Sequence, residues 1–178
     1  MWNSVEVGQI AGGLISIIFA VLNGMKYPHS EQIDRFRVYI AIIMLYLTRR
    51  EHFNGAHRLF NPNWTEEQND ATFGKCANKN WHGHNFDMYV TVKGEPNPEI
   101  GFVINAHDLS RILKKEVVDR LDHKNFNLDV PELEGVLPSI ENIVLQIWKW
   151  IEPHLKGCQL HCVKLIETEN IYVEYYGD

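Results

Sequence analysis

Two long segments in which apolar and polar residues alternate one by one constrain the fold most. They are "LYLTRREHFNGAHRL" (residues 45–59) and "HGHNFDMYVTVKGE" (residues 82–95). A period of two sends successive side chains to opposite faces of a strand, so each segment reads as a strand with one face against a core. Asn54-Gly55 reads as a β-bulge within the first. Two segments with helical spacing can cover that face. One carries Leu109, Ile112, Leu113, Val117 and Leu121 behind a cap at Asn105; the other carries Ile140, Ile143, Val144, Ile147, Trp148 and Ile151 behind a cap at Ser139. Residues 60–79 are polar and Asn-rich, a loop with a short helical turn near Glu66 and Glu67. "PNPEIG" is a turn before a short "FVIN", and residues 122–138 form a loop containing Pro131 and Gly135. Closing strands run from Leu160 to Glu167 and from Ile171 to Tyr176. The order β-β-α-α-β-β predicts an α+β domain, an antiparallel sheet with two helices on one face. Such a thin sheet has long exposed edges, which favour association into oligomers.

At 178 residues the chain has the length of a single domain. A net charge of −6 argues against the basic surface that nucleic acids require. Three cysteines are too few for a disulfide scaffold and suit a reducing cytoplasm. The apolar run "IAGGLISIIFAVL" (residues 10–22) falls short of the roughly 18 residues of a membrane span. Glu6 stands where a signal peptide would carry basic residues, and a second short run at 38–47 is no better a targeting element. No membrane association is expected.

The residues with the most chemistry lie in "FGKCANKNWHGHNF" (residues 73–86). On a strand, His82 and His84 point to one face. His57, at the end of the preceding strand, can supply a third imidazole. Three such ligands with an open fourth position are the usual form of a catalytic zinc site, whereas a structural site closes with four protein ligands. No second thiolate accompanies Cys76, which weakens the structural reading. An isolated H-x-H pair is more often an ordinary surface or core pair; His57 and Cys76 in the same frame shift the balance toward a metal. Cys158 and Cys162, around His161 in "CQLHC", read as small buried fillers sharing one strand face, with His161 on the other.

"HFNGAHRL", "FGKCANKNWHGHN", "RLDHKNFNLDVP", "PSIEN" and "IETEN" occur in order from about Met44 to Gly177. In this set the chain resembles the 6-pyruvoyltetrahydropterin and 6-carboxytetrahydropterin synthase family. The resemblance implies the tunnelling fold, a homohexamer of stacked trimeric barrels, and active sites at subunit interfaces. It implies Zn2+ held by His57, His82 and His84, with Cys76 beside the metal as general base. It implies that Asp122 and His123 complete a proton relay, and that Glu167 and Ser139 bind the pterin. Ile140 replaces a second threonine of the animal enzymes, and Lys75 and Lys79 are candidates for phosphate contacts.

The implied substrate is 7,8-dihydroneopterin triphosphate. One branch of the family eliminates triphosphate to give 6-pyruvoyltetrahydropterin. The other also releases acetaldehyde and gives 6-carboxytetrahydropterin, on the route to queuosine. Five residues between Cys76 and His82 resemble the pyruvoyl branch, and Ala56 resembles the carboxy branch. The carboxy product is expected, because that branch is the commoner in bacteria and residues 1–43 resemble a misassigned bacterial start. Those residues match no part of the family; residues 44–178 form the synthase domain. A zinc- or pterin-binding protein without turnover is the alternative of another class.

Overall fold

The computed structural model describes residues 43–177. The leading residues 1–42, including the apolar run at 10–22, lie outside the described residues. Strand β1 (Leu45–His57) pairs antiparallel with β2 (His82–Gly94) along its whole length, from Leu45 opposite Gly94 to His57 opposite His82. The predicted bulge at Asn54-Gly55 is absent: Asn54 faces Asn85 and Gly55 faces His84 in unbroken register. The glycine has another cause. A Cβ at Gly55 would run into the ring of Phe126, so only glycine lets that ring lie on the strand.

The bulges fall instead in β4 (Gln159–Thr168), which pairs with β2 on one side and with β5 (Ile171–Tyr175) on the other. Cys162 faces Thr91 while Leu160 faces Val92, which leaves His161 as the extra residue. Ile166 faces Tyr172 while Thr168 faces Ile171, which leaves Glu167 outside the pairing. A bulge re-aims the side chain that it frees. The first one corrects the cysteine reading: Cys158 precedes β4 and packs against the core, whereas Cys162 lies beside Tyr176 and Thr91 in a separate groove of the sheet.

A two-residue strand β3 (Lys124–Asn125) lies parallel to β1 within the expected loop, giving a mixed sheet of order β3-β1-β2-β4-β5. Helix α1 (Glu66–Phe73) is a full helix where only a turn is predicted, with Thr65 and Gln68 forming a capping box. Helix α2 (Ala106–Leu113), capped by Asn105, continues through a π-helical turn (Lys114–Val118) to a last helical turn (Asp119–Leu121). Helix α3 (Ile140–Ile151) is capped by Ser139. "FVIN" forms no strand.

One face of the sheet contributes Phe53, Phe86, Met88, Val90 and Leu165 to a core closed by Leu109, Leu113, Ile143 and Ile147 from the helices. Phe53 stacks on Phe86 at 5.2 Å between ring centroids, and Phe126 packs on both. Each buried phenyl contributes about 1.5–3 kcal/mol, so the end of the sheet that carries the histidines rests on a rigid aromatic floor. No helix among the described residues is long and apolar enough to cross a membrane.

Candidate metal centre

Because β1 ends where β2 begins, His57 and His82 oppose each other, and the two-residue period brings His84 to the same face. Their ring centroids lie 4.5 Å (His57–His82), 5.3 Å (His57–His84) and 5.0 Å (His82–His84) apart. One ligand atom from each falls within 4.8 Å of the others.

The donor atoms themselves argue for a cation. His57 Nε2 and both ring nitrogens of His82 are buried without a hydrogen-bond partner. A buried polar group left unpaired costs about 1–3 kcal/mol, and here the unpaired nitrogens belong to histidines that cluster at one point. His57 Nδ1 lies 2.8 Å from the Pro138 carbonyl. A carbonyl can only accept, so Nδ1 carries the hydrogen and Nε2 presents its lone pair to the centre. Burial drives the His57 pKa down to about 4, helped by His82 and His84 and opposed by the Pro138 bond. Burial and then His84 also push His82 down. Neutral imidazole is the form that binds metals.

Glu167, freed by its bulge, reaches this centre: Oε1 is 3.4 Å from His57 Nε2 and 3.8 Å from His84 Nε2. Burial raises its pKa, Glu141 adds to the rise and His84 opposes it. Cys76 sits on a 3₁₀ turn (Gly74–Ala77) tied to the end of β1. Leu59 N–H donates to the Cys76 carbonyl at 2.9 Å, and Arg58 Nε donates to the Ala77 carbonyl at 2.7 Å. Burial, and secondarily the charge of Glu167, push the thiol upward. The lowered thiol expected beside a metal and a histidine therefore has no source among these neighbours, and it needs positive charge at the triad.

Asp122 and His123 are paired with each other but not with Cys76. Asp122 Oδ1 accepts the Asn54 N–H at 2.8 Å, and Oδ2 lies 2.8 Å from His123 Nδ1. The Asn54 bond is the main cause of the lowered Asp122 pKa. His123 takes a left-handed backbone conformation (φ 59°), and its side chain is 77% exposed. It lines a polar hollow of about 560 Å³ whose walls include Asn54, Ala56, His84 and Lys124 but not Cys76. Ser139 caps α3 beside Pro138, with Oγ 3.4 Å from Asn142 N. Ile140 is buried and has no polar group to offer. Lys75 and Lys79 are exposed, and Lys79 Nζ stands 3.6 Å from Glu66.

A family profile described as 6-pyruvoyl tetrahydropterin synthase matches residues 46–178. The chain belongs to that family. It is thereby a lyase of the pterin-synthase type. It is 45% identical over 132 residues to the 6-pyruvoyl tetrahydrobiopterin synthase of Dictyostelium discoideum, covering 74% of this chain and 96% of the relative. Identity to the 6-carboxy-5,6,7,8-tetrahydropterin synthase of Rickettsia bellii is 26% over 149 residues, covering 74% and 99%. Among solved structures, the 6-pyruvoyl tetrahydropterin synthase of Caenorhabditis elegans superposes with a TM-score of 0.73 at 29% identity, covering 77% of this chain and 98% of that one. The architecture is thus the tunnelling fold expected from the motifs.

Two parts of this family site escape sequence reasoning. The Pro138 carbonyl is a backbone group, which no side-chain motif encodes. The Arg58–Ala77 clamp joins residues 19 apart, and its only sequence trace is an arginine directly after a candidate ligand.

Proposed function

We propose that this chain is a zinc-dependent lyase that converts 7,8-dihydroneopterin triphosphate to 6-pyruvoyltetrahydropterin with loss of triphosphate. The observation that carries the lyase site is the convergence of three histidines, two of them with unpaired buried ring nitrogens, and of Glu167 on one point, next to a clamped cysteine turn. The product assignment replaces the carboxy product expected from the sequence. It is supported by the 45% identical relative named for the pyruvoyl branch, against 26% for the one named for the carboxy branch. The five-residue spacing between Cys76 and His82 agrees with it. Ala56 alone favours the carboxy product, which stands as the second reading.

Zinc held by His57, His82 and His84 would supply a Lewis acid and positive charge next to the reacting hydroxyls. Glu167 then anchors the amino-pyrimidine edge of the pterin through paired hydrogen bonds, with Ser139 at the neighbouring helix start. The Cys76 thiolate, which positive charge at the triad would favour, takes the proton from the side-chain carbon. His123, held by Asp122, passes protons onward. Cys76 does not line the hollow that holds His123, so we place the relay between two copies: His123 of one chain serves Cys76 of the next in a homohexamer. Mass analysis of the products from 7,8-dihydroneopterin triphosphate tests the reading. Triphosphate without acetaldehyde is expected; acetaldehyde would move the chain to the carboxy branch, and no consumption of substrate would leave a binding protein.

A further inference from the structure

A chain of hydrogen bonds runs from the first turn of α3 to the back of the histidine centre. The Leu137 carbonyl accepts two donors, the Ser139 N–H at 2.8 Å and Asn142 Nδ2 at 2.8 Å. The next carbonyl, that of Pro138, accepts from His57 Nδ1 at 2.8 Å. Proline fixes its own φ. Once the Leu137–Pro138 peptide is held at its oxygen by two donors, the Pro138 carbonyl keeps little freedom of direction.

We propose that Asn142 is a positioning residue of the metal centre. Through Leu137 it fixes the Pro138 carbonyl, which selects the Nδ1–H tautomer of His57 and aims the Nε2 lone pair at the ion. The inference rests on reading the three histidines as a zinc site.

Helix capping does not account for this bond. The first turn of an α-helix has surplus N–H donors and lacks acceptors. A capping box therefore places an acceptor three residues after the cap, as Gln68 does in α1, where Oε1 accepts the Thr65 N–H at 2.9 Å. Asn142 occupies the same position in α3 and does the reverse. It donates, and to a residue ahead of the cap, so the helix gains no acceptor while the loop behind His57 gains a donor. The amide orientation follows from chemistry, since the opposite one would set Oδ1 against the Leu137 oxygen.

Asn142→Asp separates the two roles. Aspartate has nearly the same shape and suits the first helical turn through the macrodipole, but it cannot donate to Leu137. Zinc affinity of the full chain is measured by chelator competition, with the thermal midpoint of the metal-free protein and the His57 tautomer from ¹⁵N NMR alongside. Asn142→Asp and Asn142→Ala are expected to weaken zinc by about tenfold, the low end for groups that orient ligands from outside. Both should show a mixed His57 tautomer, and the zinc loss in each should exceed what the change in thermal midpoint of the metal-free protein accounts for. Zinc affinity equal to wild type, an unchanged tautomer, or an affinity loss in the Asp variant matched by a lowered midpoint would each overturn the proposal. His57→Ala serves as reference: if it retains zinc, the reading of the histidines as a metal site fails, which is a separate result.

Discussion

The end of the β1–β2 ladder and the corner that holds His123 differ in almost every physical respect. At the ladder end, His57 is 1% exposed, its ligand nitrogen is unpaired, and the backbone around it is regular strand. At the corner, His123 is exposed, its Nδ1 is already engaged by Asp122, and its backbone is left-handed. The first region is prepared for a ligand that the chain alone can hold. The second presents an imidazole that Asp122 orients and that is open to solvent. On the proposed reading, the metal cradle forms within one chain, whereas the proton relay needs a second copy.

The largest effect expected from this contrast is a split between metal and turnover. His82→Ala should strip zinc from the subunit and abolish activity. Cys76→Ala should keep zinc while turnover falls by about 10²–10⁴-fold, the usual worth of a positioned base. Equal zinc loss in both variants would make Cys76 a fourth ligand and return the site to a structural one.

A mixing experiment sharpens the contrast further. Cys76→Ala and His123→Ala should each be nearly inactive, yet assemblies refolded from a mixture of the two should regain measurable turnover. Recovery requires a wild-type Cys76 from one copy to meet a wild-type His123 from another. A mixture no more active than its components would place the relay within one chain.

Glu167→Gln should leave zinc in place and weaken substrate binding by about 2–4 kcal/mol, because an amide must donate where the carboxylate accepts. Substrate titration with zinc analysis on the same samples checks this. Unchanged binding would leave Glu167 as a neighbour of the histidines only.

A further effect is on stability against pH. His57 titrates near 4 in the folded protein, below the ~6.5 of an unfolded chain. The unfolded state therefore binds more protons between those values. The stabilisation is fully present above ~6.5 and is lost as pH falls toward 4, by on the order of 3 kcal/mol. Thermal midpoints of metal-free protein between pH 7 and 4 should fall accordingly, and more steeply than those of His57→Gln. Parallel curves for the two proteins would mean that burial of His57 contributes nothing to the pH response.

Much of this was legible in the residues, for identifiable reasons. The long strands and the two amphipathic helices follow from period alone, and the three histidines from that same period. Helix α1 was not legible because its residues form no apolar stripe; Thr65 and Gln68, as a capping box, were the available sign. Gly55 misled because a glycine in a strand has two common causes, a bulge or a close neighbour, and the neighbour, Phe126, lies 71 positions away. Glu167 was assigned to the substrate from motif resemblance, but its reach to His57 depends on a bulge that periodicity cannot show. The proposed division of Cys76 and His123 between two copies has no sequence trace, because spacing along a chain carries no information about which copy supplies a partner.

The Arg58 and Leu59 bonds to the cysteine turn have a mechanical consequence. Three consecutive residues carry both a candidate metal ligand, His57, and the two anchor points of the turn that bears Cys76. Thermal displacement of the end of β1 therefore carries the thiol and the imidazole in the same direction. Their separation is buffered against breathing of the rest of the sheet, as the spacing of two tines is set by a common handle.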